Sequence, residues 1–205
     1  MADSERILAL AAQAIENPQA MGELLADLAS ENQAGDRRAD SFQAVLWLCG
    51  THPEHVFRYW DYWLAMLTGN NSFAIFNAIH ILTALADFDA EGRIDRILPE
   101  LVKLLKHRTM MVAANTALCC GRIIKAKSYL DQEITPKLLE TSESITDLDK
   151  QQMMIRHVIQ AFCEYFPVSS QRSEMLKFAQ THLNSTEAKT RALAAEFCKV
   201  LETAS

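Results

Sequence analysis

The sequence predicts an all-α protein. The expected architecture is a right-handed α-α superhelix, or solenoid, of about five antiparallel helical hairpins behind an N-terminal capping helix. It is expected to span residues 1–205 as a single domain. Three observations predict this. Glycine and proline are scarce, 6 and 5 in 205 residues, and strands need turns rich in both. The abundant residues, Ala, Leu, Glu, Gln, Lys and Met, favour helix. One apolar pattern, spaced i, i+3, i+4, i+7, also returns at near-regular intervals.

The first element is a helix over 3–16 in MADSERILALAAQAIENP, capped by Asp3 or Ser4. This segment has no basic leader and no sustained apolar core, so it reads as a capped helix rather than a signal peptide. Hairpins follow at about 18–50, 53–87, 91–126, 128–166 and 169–203. The third is the most legible. Leu98, Leu101, Val102 and Leu105 share one helical face, and Val112, Thr116, Ala117, Cys120 and Ile124 repeat the spacing after a short turn at 106–109. A short turn makes two helices antiparallel neighbours. One hairpin cannot bury both of its apolar faces, so it requires like hairpins on either side.

The like hairpins are visible. Shifted by 78 residues, LVKLLKHRTMMVAANTALCC falls on AQTHLNSTEAKTRALAAEFC. Cys49, Leu82, Cys120, Cys163 and Cys198 form a ladder with steps of 33, 38, 43 and 35 residues. The mean, roughly 37, suits a two-helix unit. Pro18, Pro53 and Pro167 read as helix starts, where a missing N–H costs little. Pro99 and Pro136 lie further into their helices. Gly35, Gly50, Gly69 and Gly92 fall near expected helix ends.

These features resemble the HEAT-repeat family in its loose HEAT-like or armadillo-like sense. Units of that family pair a first helix, often kinked by proline, with a second that opens on Val-Arg and continues with Ala and Leu. Ile155-Arg156 and Thr190-Arg191 match the Val-Arg position. Val112-Ala113, Ala74-Ile75 and Ser41-Phe42 lack the arginine. The resemblance covers about residues 18–203. It implies a non-catalytic scaffold or adaptor that binds a protein or peptide along the surface of its second helices, with His80, Asp87, Arg122, Lys125 and His157 on that surface. The alternative it carries is a HEAT-like enzyme or enzyme accessory, similar to alkylated-base DNA glycosylases or bilin lyase subunits. Trp60, Asp61 and Trp63 supply the residue types a glycosylase needs, on the first helix of a pair.

Charge narrows the choice of partner. Net charge is −6, unevenly spread. Residues 1–91 carry 4 Lys/Arg against 13 Asp/Glu, whereas residues 92–127 carry 8 against 2. The basic island comprises Arg93, Arg96, Lys103, Lys106, Arg108, Arg122, Lys125 and Lys127. It suits an acidic or phosphorylated ligand, or else it is a solvated face with Lys106 and Lys125 near helix C-termini. Duplex nucleic acid is not expected to bind a chain that is otherwise acidic. No stretch approaches the ~18 apolar residues that span a bilayer. Five cysteines without a secretion signal read as reduced thiols in a cytoplasmic protein.

No catalytic or metal signature stands out. GxSxG, GxxxxGK[ST], GxGxxG and HExxH are absent. The cysteines have neither CxxC nor zinc-finger spacing, and read as small buried apolar side chains. His52 and His55 flank a proline without a third ligand nearby. Asp87, Asp89, Asp147 and Asp149 lie at helix boundaries, where capping accounts for them. No cofactor or metal is expected. In FRYWDYW, residues 57–63, Phe57, Trp60, Leu64 and Leu67 form one face and Tyr59, Tyr62, Trp63 and Met66 another. A helix apolar on two faces is covered on both. Either the first hairpin supplies the second cover, or Tyr59 and Trp63 anchor a partner.

Overall fold

A computed structural model describes residues 2–30 and 35–202. Among these it contains twelve α-helices and no strand. They are α1 (Ala2–Glu16), α2 (Pro18–Ala29), α3 (Gly35–Thr51), α4 (Pro53–Phe57), α5 (Trp60–Leu67), α6 (Ser72–Ala84), α7 (Arg93–Leu104), α8 (Met110–Ala126), α9 (Asp131–Glu140), α10 (Leu148–Tyr165), α11 (Arg172–Thr181) and α12 (Ala188–Glu202). Single 3₁₀ turns stand at Ala86–Phe88, Ser128–Leu130 and Phe166–Val168. The chain divides into two compact units, Met1–Ile97 and Leu98–Ser205.

In the first unit, α1 packs on α2 and α3 through the buried Ala11 and Ala14. Asn17 caps α2 by accepting from Gln19 N at 2.9 Å, with Pro18 in the first turn. The last carbonyls of a helix have no partner within it, and α2 finds partners in the next helices. Tyr62 Oη donates to Leu25 O at 2.7 Å, Asn77 Nδ2 to Leu28 O at 3.1 Å, and Asn71 Nδ2 to Ala29 O at 3.0 Å. Asn71 also caps α6, its Oδ1 accepting from Phe73 N and Ala74 N. These bonds fasten α2 to α5 and α6, and α3 lies alongside α6.

The aromatic segment 57–63 is not one helix. The chain tightens between α4 and α5, where Tyr59 N donates to Val56 O at 3.1 Å. Trp63 Nε1 reaches the same carbonyl at 3.1 Å. This break shifts the phase of the faces expected from a continuous helix. Trp60, Trp63, Met66 and Leu67 are buried, whereas Phe57 and Leu64 are only half-buried. Trp63→Phe should lower stability by about 1–2 kcal/mol, from lost indole volume and a lost buried hydrogen bond. Urea unfolding measures it, and an unchanged midpoint would refute a structural role for Nε1.

In the second unit, α10 packs along α8 and along α12, and α11 packs on α12. Gly121 sets the approach of α8 to α10: a Cβ there would lie 2.6 Å from Ala161 O and 2.9 Å from Ala161 Cα. Around the buried Phe162 the rings of Tyr165, Phe178 and Phe197 stand at centroid distances of 6.2, 5.7 and 6.1 Å. At the N-terminus of α9, Asp131 is buried and accepts from Thr135 Oγ1 at 2.7 Å, Ser170 N at 2.7 Å, Ser170 Oγ at 2.8 Å and Ser169 Oγ at 3.1 Å. Thr135 Oγ1 also meets Tyr165 Oη at 2.7 Å. One carboxylate thus ties α9 to the connection between α10 and α11.

The cysteine ladder holds only in part. Cys49, Leu82 and Cys120 are buried, but Cys198 is half-buried and Cys163 is exposed. On α10 the buried positions are Val158, Ile159, Ala161, Phe162 and Tyr165. Phe162, one residue earlier, occupies the core. A shift of one residue turns a side chain by about 100° around the helix.

Two arginines at the Val-Arg positions bind forward or back along the chain. Arg156 of α10 pairs with Glu187, just before α12, and Glu187 also accepts from Thr190 Oγ1 at 2.5 Å. Arg191 Nη1 donates to Ser185 O at 2.7 Å and Thr186 O at 3.0 Å. Capping is seen at other helix starts as well. Asp89 accepts from Arg93 N and Ile94 N, each at 2.8 Å, ahead of α7. Asp147 accepts from Lys150 N at 3.1 Å, which holds its carboxyl below the ordinary range.

Candidate binding faces

Each unit presents a face formed by the second helices of its pairs. In the first unit this face joins α3 and α6. The spacing Arg38, Phe42 on α3 and Phe73, Phe76, His80 on α6 places these side chains along one side of each helix. The rings meet across the helices: Phe42 to Phe76 at 5.7 Å, Phe42 to His80 at 5.8 Å and Phe76 to His80 at 4.6 Å between centroids. The Arg38 guanidinium stands 4.2 Å above the centre of the Phe73 ring, an attractive cation–π arrangement. Phe73 is 47% exposed, and Phe42, Phe76 and His80 are half-exposed. The row is therefore preformed by its own contacts and still open to solvent.

In the second unit the face joins α8 and α10. Arg122 Nε lies 3.8 Å and Lys125 Nζ 3.6 Å from the Glu164 carboxylate. Glu164 stands seven residues after His157, two turns along the same side of α10. His157 Nδ1 lies 2.8 Å from Met153 O, and Met153 is 37% exposed. Three residues expected on the second-helix surface, Arg122, Lys125 and His157, thus share one face.

The other expected residues fare differently. Trp63 fails as a partner anchor: its side chain is fully buried and its indole N–H is used internally. Tyr59 is half-exposed at the break between α4 and α5, and Asp87 is exposed in the turn after α6. Trp60 is 4% exposed beside an exposed Asp61, so the pair Trp60 and Trp63 offers no open stacking surface for a base. His52 and His55 each lie 3.7 Å from Glu54. No group of three or more His, Cys, Asp or Glu is placed to hold a metal among the described residues. No helix among them is long and apolar enough to cross a membrane.

Much of the basic island is already engaged. Arg93 pairs with Glu91 at 2.9 Å, Lys103 with Glu100 at 2.6 Å, and Arg122 and Lys125 with Glu164. Lys127 is buried with its Nζ 3.5 Å from Tyr129 Oη. Lys106 and Arg108 are exposed at the turn after α7. The cysteines are poorly suited to nucleophilic chemistry: burial pushes the Cys49 thiol up to about 12 and raises those of Cys120 and Cys163 as well.

The aromatic row on α3 and α6 was missed by sequence reasoning except for His80. A signal existed, since Phe42 and Phe76 stand 34 residues apart, within one residue of the first step of the ladder.

The fold defines an all-α protein of short helices joined mostly by tight turns. No family model matches the chain, and no curated protein matches it. It is similar to a solved crystal structure described as an engineered protein, a target of the Northeast Structural Genomics Consortium. The TM-score is 0.54 at 16% identity, over 98% of this chain and 89% of that one. At that identity the likeness concerns the fold alone.

Proposed function

We propose that this chain is a HEAT-like α-solenoid acting as a non-catalytic, cytoplasmic binding scaffold for a protein or peptide. The observation that carries the reading is the half-exposed row Arg38, Phe42, Phe73, Phe76 and His80 on α3 and α6. Exposed aromatic side chains held rigid by neighbours are the usual anchors of protein interfaces, because little side-chain entropy remains to be lost. The packing of α3 beside α6, and of α8, α10 and α12 side by side, supports a stacked-hairpin architecture. The Arg156–Glu187 pair supports the family reading, since it joins the second helix of one pair to the turn of the next. An acidic or phosphorylated ligand at 92–127 has less support, because so many of those cations have carboxylate partners.

The test is affinity capture from native lysate with the wild-type chain and with Phe73→Ser/Phe76→Ser. The expected result is one or more partners retained by the wild type and lost by the double variant, which should keep its helical circular dichroism. Capture that yields no reproducible partner, or partners indifferent to both substitutions, removes the reading.

A further inference from the structure

We propose that a second surface of the first unit, the groove between α4 and the 86–91 connection, docks a basic peptide segment carrying one large apolar anchor side chain. The groove has a volume of about 480 Å³ and a floor of Pro53, Phe57, Phe88 and Ala90. A concavity of this size accepts one large side chain with its flanking main chain.

Three features mark the floor as an anchor site. Phe88 is 48% exposed, although the chain buries Leu85 and Ala86 just before it, so the turn presents this ring outward. Phe57 is held from its other side by the Arg93 guanidinium, 4.9 Å from the ring centre. Glu91 in turn holds Arg93 at 2.9 Å. The ring is therefore positioned before any partner arrives, and binding loses little further freedom there. An apolar floor rimmed by charge is also the pattern of a docking site rather than of scattered exposed residues.

Charge selects the occupant. Residues 53–91 carry five carboxylates, Glu54, Asp61, Asp87, Asp89 and Glu91, against Arg58 alone. Asp89 is buried and capping α7. The rest are exposed, with Glu54 and Glu91 at the groove itself. Arg93 is committed to Glu91 and to the rings. The local field thus favours lysine or arginine on both sides of the anchor and opposes an acidic segment.

The experiment is selection of random linear peptides against the full chain at low salt, repeated with Phe88→Ser and Glu54→Lys. Both residues are exposed, so both variants should melt close to the wild type. Enriched sequences should combine an aromatic or long aliphatic residue with flanking Lys or Arg. Their affinity should fall about tenfold or more in either variant and should weaken as salt rises. Enrichment of acidic sequences, no enrichment, or affinities unchanged in both variants would overturn the proposal. Peptides that ignore Phe88→Ser but are lost with Phe73→Ser report the α3–α6 face instead. They overturn this groove and leave the scaffold reading standing.

Discussion

Replacing Gly121 by alanine should lower stability by about 2 kcal/mol, whereas Gly22→Ala should raise it by about 0.5–1 kcal/mol. Both glycines sit inside helices, α8 and α2, and alanine favours helix over glycine by roughly 1 kcal/mol in either place. The surroundings decide the sign. At Gly22 a Cβ would meet nothing within 4 Å, so the propensity gain is realised. At Gly121 it would lie 2.6 Å from Ala161 O and 2.9 Å from Ala161 Cα. Those are backbone atoms, which no rotamer change can withdraw, so α8 and α10 must separate along their shared length. Overpacking of that kind costs up to about 3 kcal/mol or more, and it outweighs the propensity term. Thermal unfolding should show Gly121→Ala melting about 4–8 °C lower. A Gly121→Ala variant as stable as the wild type would refute the close approach of α8 to α10.

Asp131→Asn should cost about 2–3 kcal/mol near neutral pH, with the deficit shrinking in acid. The carboxylate accepts from Thr135, Ser169 and both donors of Ser170. Burial pushes its pKa up, but the hydrogen bonds from Thr135, Ser170 and Ser169 outweigh that and hold it below the ordinary value. An asparagine must turn an NH₂ toward groups that already donate, so at least one donor loses its acceptor. The pH dependence follows from the depressed pKa. Its contribution is complete above the unfolded value of about 3.9 and is lost as pH falls through the lower folded value. Urea midpoints of wild type and variant should therefore lie furthest apart near pH 7 and converge below about pH 4. A gap of constant size across that range would show that the charge does not contribute.

The helices were legible because their signals are local. Proline at the start of α2 and α4, asparagine before α2 and α6, and aspartate before α7 and α10 act within a few residues of where they stand. The helix of 3–16 and the hairpin limits at 18–50 and 91–126 consequently fall within one or two residues of observed helix ends. Segment 57–63 was less legible. Its break depends on Trp63 reaching Val56 O, a bond that exists only once the indole is buried. Cys163 misled for a related reason: repeat spacing fixes the order of helices but not the rotation of each about its axis. That rotation is set by where α8 and α10 touch, at Gly121 and Ala161.

The candidate faces show the same division. Arg122, Lys125 and His157 could be assigned to a second-helix surface from their positions in the repeat. Only the fold brought Glu164 between the two cations. Likewise His80 was foreseen, but its stack on Phe76 and Phe42 joins helices separated by more than thirty residues.

By itself the sequence determined that this chain is helical, where most helices begin and end, and how its charge is distributed. These are properties of neighbouring residues, governed by backbone preference and apolar period. The tertiary structure alone decided which aromatic side chains are interior and which line a surface, which cations are neutralised, and which glycine is indispensable. Each depends on the distance between residues far apart in the chain, a quantity that packing fixes and local preference does not.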